Sequence, residues 1–200
     1  MIRLSKQEDR EGLIALWQEA FGDSREAVEI FLNSRYNPQN TLVCEENKKI
    51  ASMLFLLDGK VKTDDITLNA YYLYAAATLK EFRGRGIMGQ MLDEAEKLAQ
   101  SRGVDLICLK PAEDSLYGYY AKFGYKTLFK TKKASLKVPV NAGLLSACEN
   151  PELFTAREAA FGSFGRFVWD NDAIIYAAEQ HKYYGGKVFY GCNGYCLYSI

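Results

Sequence analysis

Residues 81–89 read Glu-Phe-Arg-Gly-Arg-Gly-Ile-Met-Gly, and they join a tyrosine-rich apolar stretch to a run with helical periodicity. A strand, a glycine turn and a helix start in succession leave the first N–H groups of the helix unpaired at the positive end of its dipole, so the turn is built to face an anion. Lys80, Arg83 and Arg85 crowd the same spot. The chain as a whole carries 25 basic and 25 acidic side chains, so no global field draws it to nucleic acid or to anionic lipid. The anion must be held locally, and a multiply charged group such as a pyrophosphate suits two arginines and a row of amides.

Several phosphate-binding signatures compete for this turn. Gly84, Gly86 and Gly89 spell the G-x-G-x-x-G of a dinucleotide fold, which needs an acidic residue at the far end of the next strand to hold a ribose hydroxyl. Asp105 has the required separation of roughly 20 residues, but it stands at the start of that strand and Lys110 at its end. An antiparallel meander just ahead of the turn is also foreign to a dinucleotide domain. A nucleotide-triphosphate loop is matched only as far as its second glycine, because Gln90-Met91 stands where the lysine and the magnesium-binding hydroxyl belong. An RNA-binding arginine-glycine tract would repeat and carry excess basic charge, and neither is present. The plain alternative is a turn that only starts a helix.

Around the turn the chain alternates between the two periods. A short strand at 2–4 precedes Leu13, Ile14, Leu16, Trp17 and Phe21 at helical spacing, and Asp23-Ser24 can cap a second helix carrying Val28, Ile30, Phe31 and Leu32. Residues 41–45, a polar turn at 46–49 and residues 50–57 form an antiparallel pair. Beyond Asp58-Gly59 and a polar stretch, 66–78 reads as another strand. Its centre, Ala75-Ala76-Ala77, is poor strand sequence, and helix stays open there, although the flanking tyrosines favour strand. Met88, Met91, Leu92, Ala95, Leu98 and Ala99 fall on one face of an amphipathic helix of about four turns that Gly103 ends. A buried strand at 104–109, a helix at 115–123 and two strand-like pieces within 125–138 complete a mixed α/β domain. The pattern loosens at 139–143, dividing the chain into a domain over 1–138 and an extension over 139–200, with helices near 151–161 and 169–180 and a hairpin over 187–200.

No apolar run approaches the roughly 18 residues of a membrane span, and the amino-terminal stretch turns polar at once, so the chain reads as a soluble cytoplasmic protein. Five scattered cysteines and one histidine, His181, argue against structural zinc and a disulfide framework. Cys192 and Cys196 flank Asn193-Gly194, the strongest short hairpin signal, which sets Cys192 opposite Tyr195 and turns Cys196 to the other face. His181 reads as structural.

Two stretches, Thr78-Leu-Lys-Glu-Phe-Arg83-Gly-Arg-Gly86-Ile-Met-Gly89 and Tyr120-Ala-Lys122-Phe-Gly124-Tyr125, together resemble the GNAT superfamily, the GCN5-related N-acetyltransferases. The first is similar to that family's acetyl-CoA motif and the second to its Y-x-K-x-G-F motif, in the right order and with a helix and a strand between them. Met88 stands where the motif usually has glycine or alanine, and Gly89 follows at once. The resemblance covers about residues 1–138. It implies a splayed central sheet flanked by helices, in which the strand ending at Thr78 diverges from the strand over 104–109 and acetyl-CoA enters the gap as cosubstrate. The pantetheine arm would pair with the backbone of Ala76, Ala77 and Thr78. The pyrophosphate would lie over Arg83, Gly84, Arg85, Gly86, Ile87, Met88 and Gly89. The alanine run then has a reason, because small side chains let a ligand approach the backbone; alternatively the alanines lie beneath a packed helix.

The reaction that the resemblance implies is direct attack of a primary amine on a thioester. It needs a neutral amine, donors for the developing oxyanion and a proton for the departing thiolate. The amides near 76–78 could supply the donors. Tyr120, at the tyrosine of the second motif, is the candidate acid, since a phenol of pKa about 10 stays protonated at neutral pH. The base is open among Glu45, Glu46, Glu113, Asp114 and a water relay, because residues 69–79 hold no carboxylate. That gap also permits a non-catalytic acyl-CoA-binding protein. The acceptor is a small-molecule or peptide amine, and nucleic acid and membrane are not expected partners. The extension resembles the opening of a half-domain that some longer GNAT proteins append. A lone apolar hairpin is marginal in water, so either the first domain covers it or another copy of the chain does, which would make a homodimer.

Overall fold

A computed structural model of the chain describes residues 1–63, 65–129, 146–147, 154–155, 157–158, 165–191 and 194–198. The elements run β1 (Ile2–Leu4), α1 (Arg10–Phe21), α2 (Arg25–Arg35), β2 (Thr41–Glu46), β3 (Lys49–Lys62), β4 (Thr67–Thr78), α3 (Ile87–Ser101), β5 (Leu106–Cys108), α4 (Ser115–Ala121), β6 (Ser146–Ala147), β7 (Arg166–Val168), α5 (Asn171–Tyr183), β8 (Lys187–Gly191) and β9 (Gly194–Tyr198). The main sheet has the order β1-β2-β3-β4-β5, and β7 adds to β3 beyond the end of β2. Every pairing in it is antiparallel except β4 with β5, so this is the mixed α/β architecture that the sequence predicts. A second sheet has the order β6-β8-β9.

The core explains why β3 reads as an unbroken apolar run. Tyr74 touches Trp17 of α1 and Phe31 of α2, whereas Tyr71, three residues away and so on the opposite face, receives a hydrogen bond from Arg102 just past α3. Both faces of the sheet are therefore covered, and Ile50, Ala51, Ser52, Met53, Leu54, Phe55, Leu56 and Leu57 are all buried. Between α1 and α2 the chain breaks where the sequence indicates: Ser24 caps α2, its Oγ accepting from the Ala27 amide at 3.2 Å. No helix among the described residues is long and apolar enough to cross a membrane.

Five details depart from the reading of the sequence. β3 does not stop before Asp58-Gly59 but continues to Lys62, because Gly59 is a slot rather than a turn. A Cβ there would lie 2.3 Å from the ring of Phe167 on β7. β5 is shorter than 104–109, and α4 ends at Ala121 rather than at 123. Residues 125–129 form no strand, and the rest of the strand-like material up to 138 lies outside the described residues. In the terminal hairpin Gly191 pairs with Gly194 and Tyr190 with Tyr195, whereas an Asn193-Gly194 turn would set Cys192 opposite Tyr195. Cys192 itself lies outside the described residues. The helix near 151–161 is also largely outside them.

Candidate active site

Strand β4 is where the sheet opens. It pairs with β5 only through Ala70, Tyr71 and Tyr72, opposite Leu106, Ile107 and Cys108, so among the described residues its edge from Leu73 to Thr78 has no strand beside it. Within that free length the β3 pairing slips between Met53, opposite Ala77, and Phe55, opposite Tyr74. Ala75 absorbs the extra residue at φ 46°. This is a β-bulge, and a non-glycine residue at positive φ stores backbone strain that the paired strands on either side must hold in place. Poor strand propensity at Ala75-Ala76-Ala77 thus marks a real irregularity, while the flanking tyrosines keep the segment in the sheet.

Alternation decides which backbone groups face the opening. The Leu79 amide donates to Ala51 of β3 at 2.9 Å, and the Ala77 carbonyl accepts from Ser52 Oγ at 2.8 Å. Ala77 and Leu79 therefore direct their backbone groups toward β3, and Ala76 and Thr78 direct theirs toward the open edge. The Thr78 carbonyl on that edge accepts from Arg83 Nε at 2.9 Å. Ser52, fully buried, donates to Ala77 and shares a 2.9 Å hydrogen bond with the Thr78 hydroxyl, which locks the end of β4. No motif flags Ser52, because its partners lie 25 and 26 residues away in sequence.

Beyond Thr78 the chain enters the glycine turn. Gly84 and Gly86 take φ values of 77° and 73°, in the left-handed region that glycine enters without steric cost. Gly86 is the N-cap of α3, and the first helical hydrogen bond runs from the Gln90 amide to the Gly86 carbonyl at 3.2 Å. None of the N–H groups of Gly84, Arg85, Gly86, Ile87, Met88 and Gly89 donates to another group among the described residues. A Cβ on Gly84 or Gly86 would meet nothing within 4 Å, so open space lies over these amides. Gly89 is small for a different reason: a Cβ there would stand 2.8 Å from Phe123, so it lets α3 close against the end of α4. Both arginines fold back on the turn. Arg83 holds Thr78, and Arg85 donates to the Glu81 carbonyl at 3.0 Å with its guanidinium carbon 5.1 Å from the centre of the Phe82 ring. Each keeps exposed donors.

Tyr120 sits in the last turn of α4, which closes with the Gly124 amide on Ala121 and the Tyr125 amide on Tyr120. Its ring lies 5.4 Å from Tyr119 and 5.6 Å from Tyr125, half-buried, and its hydroxyl has no hydrogen-bond partner among the described residues. Burial first, and the neighbouring Tyr119 second, hold its pKa above the ordinary phenol value. Tyr72, Tyr74, Tyr125 and Tyr176 are raised too, chiefly by burial. Raised folded-state values mean that the unfolded chain ionises first. This contribution to stability is complete below the ordinary tyrosine pKa of about 10 and is lost as pH climbs through the folded-state values. The melting temperature should accordingly be flat in this respect up to about pH 10 and fall steeply above it. A tyrosinate absorbance titration that finds these phenols ionising at the ordinary value would contradict the burial that the structure gives them.

The candidate bases are scattered. Glu45 is committed to Arg3 at 2.7 Å, and Arg3 also holds Asp9. Glu46 is partly exposed, 3.6 Å from the amino terminus, on a strand that β3 separates from β4. Glu113 accepts from Ser115 at 3.3 Å, and it and Asp114 precede α4 in exposed positions.

Comparison with known proteins agrees with this frame. Residues 1–128 match the model of the acetyltransferase (GNAT) domain. An acetyltransferase from Pectobacterium atrosepticum is 33% identical over 135 residues, which cover 64% of this chain and 88% of that protein. Glucosamine-6-phosphate N-acetyltransferase from Arabidopsis thaliana superposes with a TM-score of 0.53 at 20% identity, over 68% of this chain and 98% of that one. Eis1 from Mycobacterium abscessus superposes with a TM-score of 0.73 at 12% identity, over 98% of this chain and 53% of that one. With its forked sheet, its glycine turn and these matches, the chain belongs to the GNAT acetyltransferase family and is an acyltransferase.

Proposed function

We propose that this protein transfers an acetyl group from acetyl-CoA to a primary amine by direct attack of the neutral amine on the thioester. The observation that carries this reading is the continuity of one segment: among the described residues β4 has a free edge from Leu73 to Thr78 and runs on into a turn of six unpaired amides. A long, bent ligand with an amide-rich arm and a diphosphate is complementary to both parts at once.

In this reading Gly84, Arg85, Gly86, Ile87, Met88 and Gly89 present their N–H groups to the diphosphate, with the free donors of Arg83 and Arg85 beside them. The open-edge backbone of Ala76 and Thr78 pairs with the pantetheine arm, and Ala77, bonded toward β3, keeps the strand in place. Acetyl-CoA supplies an acyl group already activated as a thioester. The Tyr120 hydroxyl donates its proton to the departing sulfur and recovers one from water. Residues 1–138 form the transfer domain, and the extension docks on it through β7 and α5.

Thiol release from acetyl-CoA across a panel of amines tests the assignment, with turnover on at least one primary amine as the expected result. One feature favours a second reading: no carboxylate lies on β4, so the chain could bind acyl-CoA without turnover. A CoA-induced rise in melting temperature with no thiol release on any amine would select that alternative. The turn itself is tested by Gly86→Asp. Aspartate tolerates the left-handed region, so the fold survives, but its charge faces the anion and should weaken CoA binding about tenfold by titration calorimetry. Unchanged affinity would remove the diphosphate from this turn.

A further inference from the structure

The turn between α1 and α2 holds a carboxylate that the fold leaves without a counter-charge. Asp23 Oδ2 accepts from Trp17 Nε1 at 2.8 Å, and Oδ1 accepts from the Tyr184 hydroxyl, just past α5, at 3.0 Å. An ionised carboxylate offers about four acceptor sites, so these two bonds leave room for more donors. No cation pairs with Asp23 among the described residues. Arg25, two positions on, is turned away, with Glu11 at 2.7 Å and Glu29 at 2.9 Å.

The surroundings of this charge are aromatic and open. Phe21 is 48% exposed and Tyr184 57% exposed, whereas most large apolar groups among the described residues are buried or half-buried. The Trp17 and Phe21 rings lie 5.6 Å apart. On the inner side the Tyr74 and Tyr176 hydroxyls meet at 3.1 Å, and both feel the Asp23 charge. Tyr74 immediately precedes Ala75, the residue that bulges β4. The carboxylate thus lies on the face of the sheet that carries α1 and α2, joined to the bulged part of β4 through Trp17, whose ring stands 5.9 Å from that of Tyr74.

We infer that Asp23, walled by Trp17, Phe21 and Tyr184, is the docking site for the ammonium group of the acceptor, an amine carried on an apolar or aromatic body. A negative charge beside the exposed rings of Phe21 and Tyr184 recognises that combination, since the carboxylate takes the charge and the rings take both the cation and the body. The nitrogen docks protonated and loses that proton to water before attack. Tyr184 comes from the extension, so the acceptor site is shared between the two parts of the chain. This inference rests on the acetyl-transfer reading, and its test is chosen to separate the two.

Titration calorimetry of the full chain with 2-phenylethylammonium measures docking without turnover. Asp23→Asn should weaken that probe about fivefold, and Tyr184→Ala about threefold. Affinity for 2-phenylethanol, the same body without the charge, should stay within about twofold in Asp23→Asn. Affinity for CoA should be unchanged in both variants, which certifies the fold. The inference is overturned by no binding of the ammonium probe to the wild type, by equal weakening of charged and neutral probes, or by an Asp23→Asn affinity equal to the wild type. If Asp23→Asn fails to fold, Tyr184→Ala, a change at an exposed residue, decides by the same criterion. Loss of CoA binding with ammonium docking intact would strike the acetyl-transfer reading alone.

Discussion

Tyr120→Phe lowers kcat for acetyl transfer by about 10²- to 10⁴-fold, the range typical for loss of a positioned general acid, while affinity for CoA stays at the wild-type value. The substitution removes one oxygen. The ring keeps its contacts at 5.4 Å with Tyr119 and 5.6 Å with Tyr125, so packing is conserved. Because the hydroxyl has no partner among the described residues, its loss leaves no buried donor or acceptor stranded, and the melting temperature should hardly move. The effect is then confined to the proton that the thiolate needs. Burial, which raises the phenol pKa, keeps that proton in place across the neutral range. Tyr119→Phe and Tyr117→Phe serve as matched controls on the same helix, and each should retain activity within about threefold. Steady-state kinetics with saturating acetyl-CoA provide the reading. A Tyr120→Phe enzyme as fast as its controls would end the role proposed for this side chain, whatever the fate of the CoA site.

The parts of this molecule that the sequence discloses are those whose causes are local. Ser24 caps α2 through a bond to an amide three residues away, and the apolar stripe of α3 buries Met91, Leu92, Ala95 and Ala99 as its period requires. The glycine turn is legible for the same reason: positive φ at Gly84 and Gly86, the orphan amides and the helix start are properties of one short segment. What escapes has distant causes. Gly59 looks like a turn residue until Phe167, more than a hundred positions on, is seen to need its missing side chain. Gly89 reads as part of the anion turn, but its size is demanded by Phe123. Ser52 carries no motif at all, and Asp23 figures in the sequence only as a helix-cap candidate, since the groups that give them meaning, Ala77 and Thr78 for one and Tyr184 for the other, come together only in the fold. Alanine at 75–77 lies between the two cases, anomalous as strand sequence yet not assignable to a bulge without the register of β3.

Phe31→Ala destabilises the chain by about 3–5 kcal/mol, the upper range for a core truncation. Phe31 is fully buried, and its ring stands 5.0 Å from Trp17, 5.0 Å from Phe55, 5.1 Å from Tyr74 and 5.5 Å from Tyr176. These four neighbours belong to α1, β3, β4 and α5, so one ring ties both parts of the chain to the sheet. Its removal forfeits the transfer free energy of the ring and leaves a void that rigid aromatic walls cannot close, which is why the cost should exceed that of a leucine truncation on a more pliable helix face. The same void loosens Tyr74 next to the bulge, so CoA affinity should fall along with stability. Phe31→Leu, which keeps most of the volume, should recover most of both. Chemical denaturation followed by tryptophan fluorescence, with Trp17 against the altered site, gives the free energy. A loss below about 1.5 kcal/mol would mean that Phe31 is not the close-packed centre that these distances describe, because only a site able to collapse escapes the cavity cost.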